Sequence, residues 1–576
     1  MEFLPEDCTA RIVKLLNTQD KGVFDLREDS LGLGAPPPLD EMGLENQSLH
    51  RGHAGGDDGS LILVALLLML TVPAAQLVNS SVPTAYMDEE FHLNQVQHYC
   101  RGDFSYWDPK ITTLPGLYLA SLAYVEILLP GADYFGYGNS LSDLCSRPAV
   151  LRSVNLVLFS ICALLFREIA LHLDPEKNTL RATMKALVLS LYPLHWFFTL
   201  LYYTEMGSAA TVMAMYFYSL QHSYWISALF GVLAILFRQT NAVWVFFVLC
   251  VGVLEFLENV TLVRYHPDDD QLRKVNEGKG KEQDSALQEP MRDGLRKRRS
   301  ATMNWKQPTL GSVTSEGARG GIILEIRDLI HRAWIHRTAV LWNFCPFLLV
   351  LLGFLGFVIK NGSVVVGDKE AHKVSPHLAQ ILYCGLVCAA FQATVHFNPR
   401  RIVDLLGTLK RKAADKPLFG LGVFVAIIFA AIAVSFYGDP HPYLLADNRH
   451  FTFYIWKDLV QRHWSFKYLI IPAYIYSWSS IISLLAERQK PLWILAFCLA
   501  VAGVLVPTPL LEFRYYNVPF YLIFLHMSTT DLGKSSSRLF LTSIQFLCLN
   551  YLTLYIFLKW TFQWPNQPGA LQRFMW

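Results

Sequence analysis

The chain has 576 residues, 53% of them hydrophobic and 13% aromatic, with a formal net charge of +2. The apolar residues gather in blocks of about 17–22, the length that crosses a bilayer core, which excludes a soluble multidomain protein. So small a net charge says nothing by itself about partners, though no nucleic acid is expected among them, and ten scattered cysteines without a CxxC pair argue against metal or redox work by cysteine.

Residues 1–60 are acidic, rich in Pro and Gly, and read as a disordered tail. With that tail in front, the run 61–78 is a signal-anchor helix rather than a cleaved signal peptide. Residues 79–147 form a first large loop. Its Cys100 and Cys145 either pair in an oxidising lumen or remain free thiols. The run 117–130 within it is short, and is expected to lie at the interface or to span briefly. Further runs near 148–170, 185–203, 206–221, 224–238 and 241–258 complete a membrane module over 61–259. Residues 260–337 carry low-complexity charge, including Asp268-Asp269-Asp270 and Arg296-Lys297-Arg298-Arg299. Runs near 339–359, 376–396, 418–437, 467–486, 492–509, 515–531 and 539–558 then make a second membrane module over 338–576. The expected fold class is an all-α polytopic membrane protein with about 13 transmembrane helices.

Basic residues orient it. Loop 260–337 carries fifteen Lys and Arg, loop 397–417 carries six, and loop 79–147 has three against eight Asp and Glu. The positive-inside bias puts the two basic loops in the cytosol and the acidic loop on the other side, together with 438–466 and 510–516.

The non-cytosolic side collects the residues able to do chemistry. Asp88, Glu89, Glu90, His92 and Asp108 lie in the first loop; Glu205 and Arg238 lie at short turns; Asp447, Arg449 and His450 precede Glu512 and Arg514. Arg238 and Arg514 stand at the edges of apolar runs, where an unpaired cation costs a few kcal/mol. Each either binds an anion through its planar fork, snorkels to the interface, or pairs with Glu205 or Glu512. Carboxylates and arginines on one face of a multispanning chain suit transfer of a sugar from a lipid-linked phosphate: a carboxylate deprotonates the acceptor hydroxyl and cations stabilise the departing phosphate. The one DxD-like run falls on the cytosolic side, which argues against a nucleotide-sugar donor.

Several stretches together resemble one family. They are Tyr86-Met87-Asp88-Glu89 with Phe91-His92, Trp107-Asp108-Pro109, Ile111-Thr112-Thr113-Leu114-Pro115-Gly116-Leu117-Tyr118-Leu119, and Leu201-Tyr202-Tyr203-Thr204-Glu205. Phe237-Arg238-Gln239-Thr240-Asn241, Tyr443 to His450, Leu511-Glu512-Phe513-Arg514-Tyr515 and Gln572-Arg573-Phe574-Met575-Trp576 follow in order. The match runs over roughly 80–576. It resembles the dolichyl-phosphate-glucose-dependent α-1,2-glucosyltransferases of the endoplasmic reticulum. Glu90 departs from the pattern, where an aliphatic residue is expected, and the sixty-residue tail is extra.

The resemblance implies a GT-C fold, a multi-pass endoplasmic reticulum location and a lumenal active site. It implies dolichyl-phosphate glucose as donor and the diglucosylated oligosaccharide on dolichyl diphosphate as acceptor, with inversion at the anomeric carbon. Asp88 is then the expected general base, with Glu89 beside it. Arg514, Arg238, Arg449, His450, His92, Asp108 and Glu205 are the expected phosphate- or substrate-binding residues. No cofactor is expected; a metal is left undecided, since no ligand set stands out and Arg with His suffices for one phosphate. The competing readings are a transferase for another dolichyl-phosphate sugar, a transporter, or a channel-associated subunit. One-sided polar clusters and the lack of an internal repeat disfavour a transporter.

Overall fold

The computed structural model describes residues 58–134, 140–174, 176–264, 321–436, 441–527 and 536–576. The expected tail and most of the charged loop 260–337 lie outside them. The first helix, α1 (Asp58–Ser81), is apolar on every side, as a lipid-facing helix must be: Leu61 and Met69 are exposed while Leu63 and Leu67 are buried. A short α2 (Glu89–Cys100) follows, then α3 (Gly116–Tyr134) and α4 (Leu141–Cys145). Of the two states open to Cys100 and Cys145, the disulfide is the one present, and it joins the ends of α2 and α4.

The 117–130 run belongs to α3, whose first turn sits against the end of α9 (Tyr224–Phe237). A Cβ on Gly116 would stand 2.6 Å from the Leu236 backbone, so that approach requires glycine. Between them in sequence come α5 (Pro148–Leu173), α6 (Thr179–Ser190), α7 (Pro193–Thr199) and α8 (Glu205–Leu220). The expected single run 185–203 is divided between α6 and α7 because Pro193 lacks the N–H that would continue α6. Asn178 starts α6 by accepting from the Arg181 N–H.

The chain continues through α10 (Asn241–Arg264), α11 (Gly321–Ile335) and α12 (Arg337–Asn361), which stops at Gly362 in the left-handed conformation. Then come α13 (Ala379–Phe391), the basic α14 (Pro399–Asp415), α15 (Pro417–Phe436), α16 (Phe466–Leu485), α17 (Pro491–Leu505), α18 (Asn517–His526) and α19 (Ser536–Lys559). A two-stranded antiparallel hairpin, β1 (Thr561–Gln563) and β2 (Leu571–Arg573), pairs Thr561 with Arg573.

Among the described residues seven helices are long and apolar enough to cross a membrane: α1, α5, α10, α12, α15, α16 and α19. The shorter apolar helices are α3, α9, α13 and α17. The chain is an all-α polytopic membrane protein. Its core is built on α8 and α18. Every residue of α18 is buried, and α8 is buried over nearly its whole length. Small residues let neighbours close on α8: a Cβ on Gly207 would stand 2.0 Å from the Phe237 ring.

This up-and-down path gathers the starts of α2, α5, α8, α10 and α18 with the end of α9 at one pole. There Asn155 Nδ2 donates to the carbonyls of Leu201 and Tyr203, and Asn241 Nδ2 donates to Ser208 Oγ. The basic α14 lies at the other pole, where Arg401 donates to Ser483 Oγ near the far end of α16.

Candidate active site

The acidic turn after α1 is bent by Met87, whose φ of 60° is rare for a bulky side chain. The three acids that follow diverge. Glu89 points inward and is 1% exposed. Its Oε1 accepts from Arg152 Nε at 2.9 Å and the Tyr202 N–H at 2.6 Å; its Oε2 accepts from Arg152 Nη2 at 2.6 Å and the Tyr86 N–H at 3.0 Å. Arg152 also donates to Asn79 Oδ1 and to the Val82 and Thr84 carbonyls. Both oxygens of Glu89 are therefore occupied in a buried, fully bonded ion pair. Glu89, expected beside Asp88, thus has no oxygen left free and braces this turn. Glu90 points to solvent.

Asp88 stands between these extremes. It precedes the first turn of α2, yet its side chain accepts no capping bond. The side chain is 45% exposed, and Oδ2 faces Arg514 Nη2 at 3.6 Å. Arg514 is the hub. Its Nε donates to Glu512 Oε2 and its Nη1 to Glu205 Oε1 at 3.3 Å, and the guanidinium lies by the rings of Tyr203 and Phe198. Glu205 Oε1 also accepts from Arg238 Nη1 at 2.6 Å, and Arg238 stacks over Tyr515. Of the roles open to these two arginines, pairing with Glu205 and Glu512 is the one seen. Burial pushes the Glu512 carboxyl up, but Arg514 outweighs it and holds the group well below the usual carboxylate range. Against the downward push of burial, Glu512 and Glu205 together hold the Arg514 guanidinium well above its ordinary value.

His92 Nδ1 lies 2.7 Å from the Tyr118 hydroxyl. Where the Tyr118 hydroxyl donates to Nδ1, the neutral ring carries its proton on Nε2. Burial lowers the imidazole below its ordinary value despite the opposing pull of Asp88, which keeps it neutral near pH 7. His92 is thus a neutral donor beside the charge network, against the rings of Tyr202 and Tyr203.

The remaining expected residues fall elsewhere. Arg449 is committed to Asp447 through Nε and Nη2, donates to Gln572 through Nη1, and stacks on Trp564 at 4.7 Å. His450 Nδ1 lies 3.0 Å from the Trp576 main-chain oxygen, and His450 forms an isolated parallel β-bridge with Met575. Both pin the C-terminal residues in place. Asp108 accepts from the Lys110 N–H and shapes the turn that Gln95 holds through the Asp108 N–H. Gln239 Nε2 reaches the Thr112 carbonyl of the same loop.

Beside the network, a cleft is lined by Glu205, Ser208, Arg238, Thr240, Asn241 and Trp244 from one side and by Arg514, Tyr515 and Asn517 from the other. Among the described residues no group of three or more His, Cys, Asp or Glu side chains is placed to hold a metal ion. Sequence reasoning gave no role to Arg152, Tyr118 or Asn517. Arg152 had a signal, since a lone arginine inside an apolar run needs a partner; Tyr118 lay within the Ile111 to Leu119 stretch, and Asn517 had none.

A family model described as the DIE2/ALG10 family matches residues 82–525. A relative from Arabidopsis thaliana is 41% identical over 523 residues, covering 90% of this chain and 100% of that protein. One from Mus musculus is 34% identical, covering 85% and 93%, and one from Drosophila melanogaster is 32% identical, covering 90% and 99%. All three are named Dol-P-Glc:Glc(2)Man(9)GlcNAc(2)-PP-Dol alpha-1,2-glucosyltransferase. No solved structure matches the chain. The Asp88, Glu205, Arg238 and Arg514 network lies inside the matched span, the relatives align over nearly their full lengths, and the chain belongs to the DIE2/ALG10 family.

Proposed function

We propose that this protein transfers glucose from dolichyl-phosphate glucose to the diglucosylated, dolichyl-diphosphate-linked oligosaccharide, forming an α-1,2 bond with inversion. Asp88 removes the acceptor hydroxyl's proton as that oxygen attacks the anomeric carbon. The bond from that carbon to the phosphate oxygen breaks, its electron pair stays on the phosphate, and dolichyl phosphate leaves. Arg514 Nη2, the most loosely held corner of the guanidinium, and the neutral His92 are the donors that meet the phosphate charge.

One observation carries this reading. Of the carboxylates that face Arg514, Asp88 is the most open to a substrate, 45% exposed against 22% for Glu512 and 1% for Glu205. Location follows the same reading: an endoplasmic reticulum membrane, with the network in the lumen. The disulfide at that pole and the basic α14 at the other support this orientation. The test is single-turnover transfer by purified protein given dolichyl-phosphate glucose and the diglucosylated lipid. Asp88→Asn is expected to slow transfer about 10²–10⁴-fold. Transfer at the unsubstituted rate overturns the assignment.

A further inference from the structure

We propose that the basic helix α14 lies along the membrane surface, on the face read above as cytosolic, and binds the head groups of anionic phospholipids there.

α14 can neither cross the bilayer nor leave it. Its 17 residues rise about 25 Å, close to the depth of a hydrocarbon core. Five of them are basic and two acidic, a charge load too costly for a span. Yet both of its ends are tied to spans. Arg401 Nη2 donates to Ser483 Oγ at 2.6 Å near the end of α16, and His396, just ahead of the helix, has Nδ1 2.8 Å from Ser480 Oγ. At the other end Lys416 leads straight into α15, which folds back against α14: a Cβ on Gly420 would stand 3.4 Å from the Ala413 carbonyl oxygen. Both ends therefore sit at one membrane face, and the helix between them runs along it.

Its faces divide as an interfacial helix requires. Each residue turns about 100° from the last, so Ile402, Leu405 and Leu409 share one flank and Val403 and Leu406 the next. Arg400, Arg401, Arg411 and Lys412 fall on the opposite arc. Leu405 is buried against the protein, whereas Val403 is 69% and Leu406 52% exposed. An apolar edge on a helix held at a membrane face meets acyl chains. Lys410, one turn beyond Leu406, shares that edge, where its stem lies along lipid and its ammonium reaches the head groups.

The cations are not spent on the protein. Among the described residues Arg400, Lys410, Arg411, Lys412 and Lys416 form no ion pair, although Asp404 and Asp415 belong to the same helix; Arg411 reaches only Thr408 Oγ1, at 3.5 Å. Unpaired cations bordering an apolar edge complement an anion that is itself anchored by acyl chains. A soluble acidic partner would match the charge and leave the edge unexplained.

The test is amide hydrogen exchange of 399–416 in the full chain, in nanodiscs of phosphatidylcholine alone and of phosphatidylcholine mixed with phosphatidylserine. Exchange is expected to slow about fivefold in the anionic discs, the scale of one cation at such a surface. High salt should shrink the difference by screening. Lys410→Gln, Arg411→Gln, Lys412→Gln and Lys416→Gln together should abolish it, and the milder pair Lys410→Gln with Lys416→Gln should give an intermediate difference. Glycerophosphoserine, the head group without its acyl chains, is added to neutral discs and should leave exchange unchanged; slowing as large as the lipid's would assign the cations to a soluble anion and overturn the proposal. So would equal exchange of the unsubstituted protein in both discs, or anionic slowing that survives the fourfold change. The measurement involves no glucose transfer, so its failure is separate from failure of the activity proposed above.

Discussion

Adjacent carboxylates at 88 and 89 should fail in opposite ways when neutralised. In Glu89→Gln one oxygen becomes an NH₂. Whichever oxygen is replaced, one Arg152 N–H and one backbone N–H lose their acceptor, because each oxygen serves one of each. Two orphaned buried donors at about 1–3 kcal/mol apiece agree with about 3–5 kcal/mol for breaking a buried ion pair. Glu89→Gln should therefore unfold at markedly lower temperature, while the folded fraction keeps its chemistry. Asp88→Asn loses a half-exposed contact at 3.6 Å, which is worth no more than about 0.5 kcal/mol. It should melt like the unsubstituted protein and transfer glucose about 10²–10⁴-fold more slowly. The assay pairs thermal unfolding followed by size-exclusion with single-turnover transfer on the same preparations. A Glu89→Gln protein of full thermal stability and no activity would refute the reasoning and move the base one residue along. A double change of Glu89 and Arg152 to Met should recover little of the lost stability, since the Tyr86 and Tyr202 N–H groups and the Val82 and Thr84 carbonyls still lose their partners.

Arg514→Lys keeps the charge but cannot address Glu512, Glu205 and Asp88 from three corners, so kcat/KM should fall about 10–100-fold, the scale of one charge-assisted hydrogen bond; unchanged kinetics would return Arg514 to an interfacial cation. Cys145→Ser opens the bridge that holds the far end of α2 and should cost about 2–4 kcal/mol, read as a lower unfolding temperature that reductant reproduces in the unsubstituted protein and does not lower further in the variant. Protease added to sealed, right-side-out microsomes should cut within 260–337 and spare a tag placed near 440; the reverse pattern would invert the proposed orientation and move the Asp88 network to the cytosol.

The membrane architecture was legible because long apolar runs have few alternatives. The run at 241–258 became α10, and that at 539–558 became α19. What the runs do not reveal is which of them lies innermost. Nothing in the composition of 515–531 distinguishes it from a lipid-facing helix, yet α18 is buried on every side. The site was legible as a set of residues and obscure as a set of roles. Asp88, Glu89 and Glu90 follow one another at the start of a helix, so each points about 100° from the last. Which one is sequestered depends on Arg152, far along the chain on another helix. Arg449 reads as a free cation beside Asp447 until β2 and Trp564 close over it. Such long-range partners leave no local trace.

The hairpin after α19 also bears on how the protein is made. Tyr86 Oη donates to the Arg573 carbonyl and accepts the Arg573 N–H, a contact that spans 487 residues of chain. A ribosome adding about 5–20 residues per second delivers that partner roughly half a minute to a minute and a half after Tyr86 has emerged. Through that interval the turn bearing Asp88 lacks the strand that braces it. The turn bearing Asp88 therefore gains this brace only once the Arg573 segment has been made.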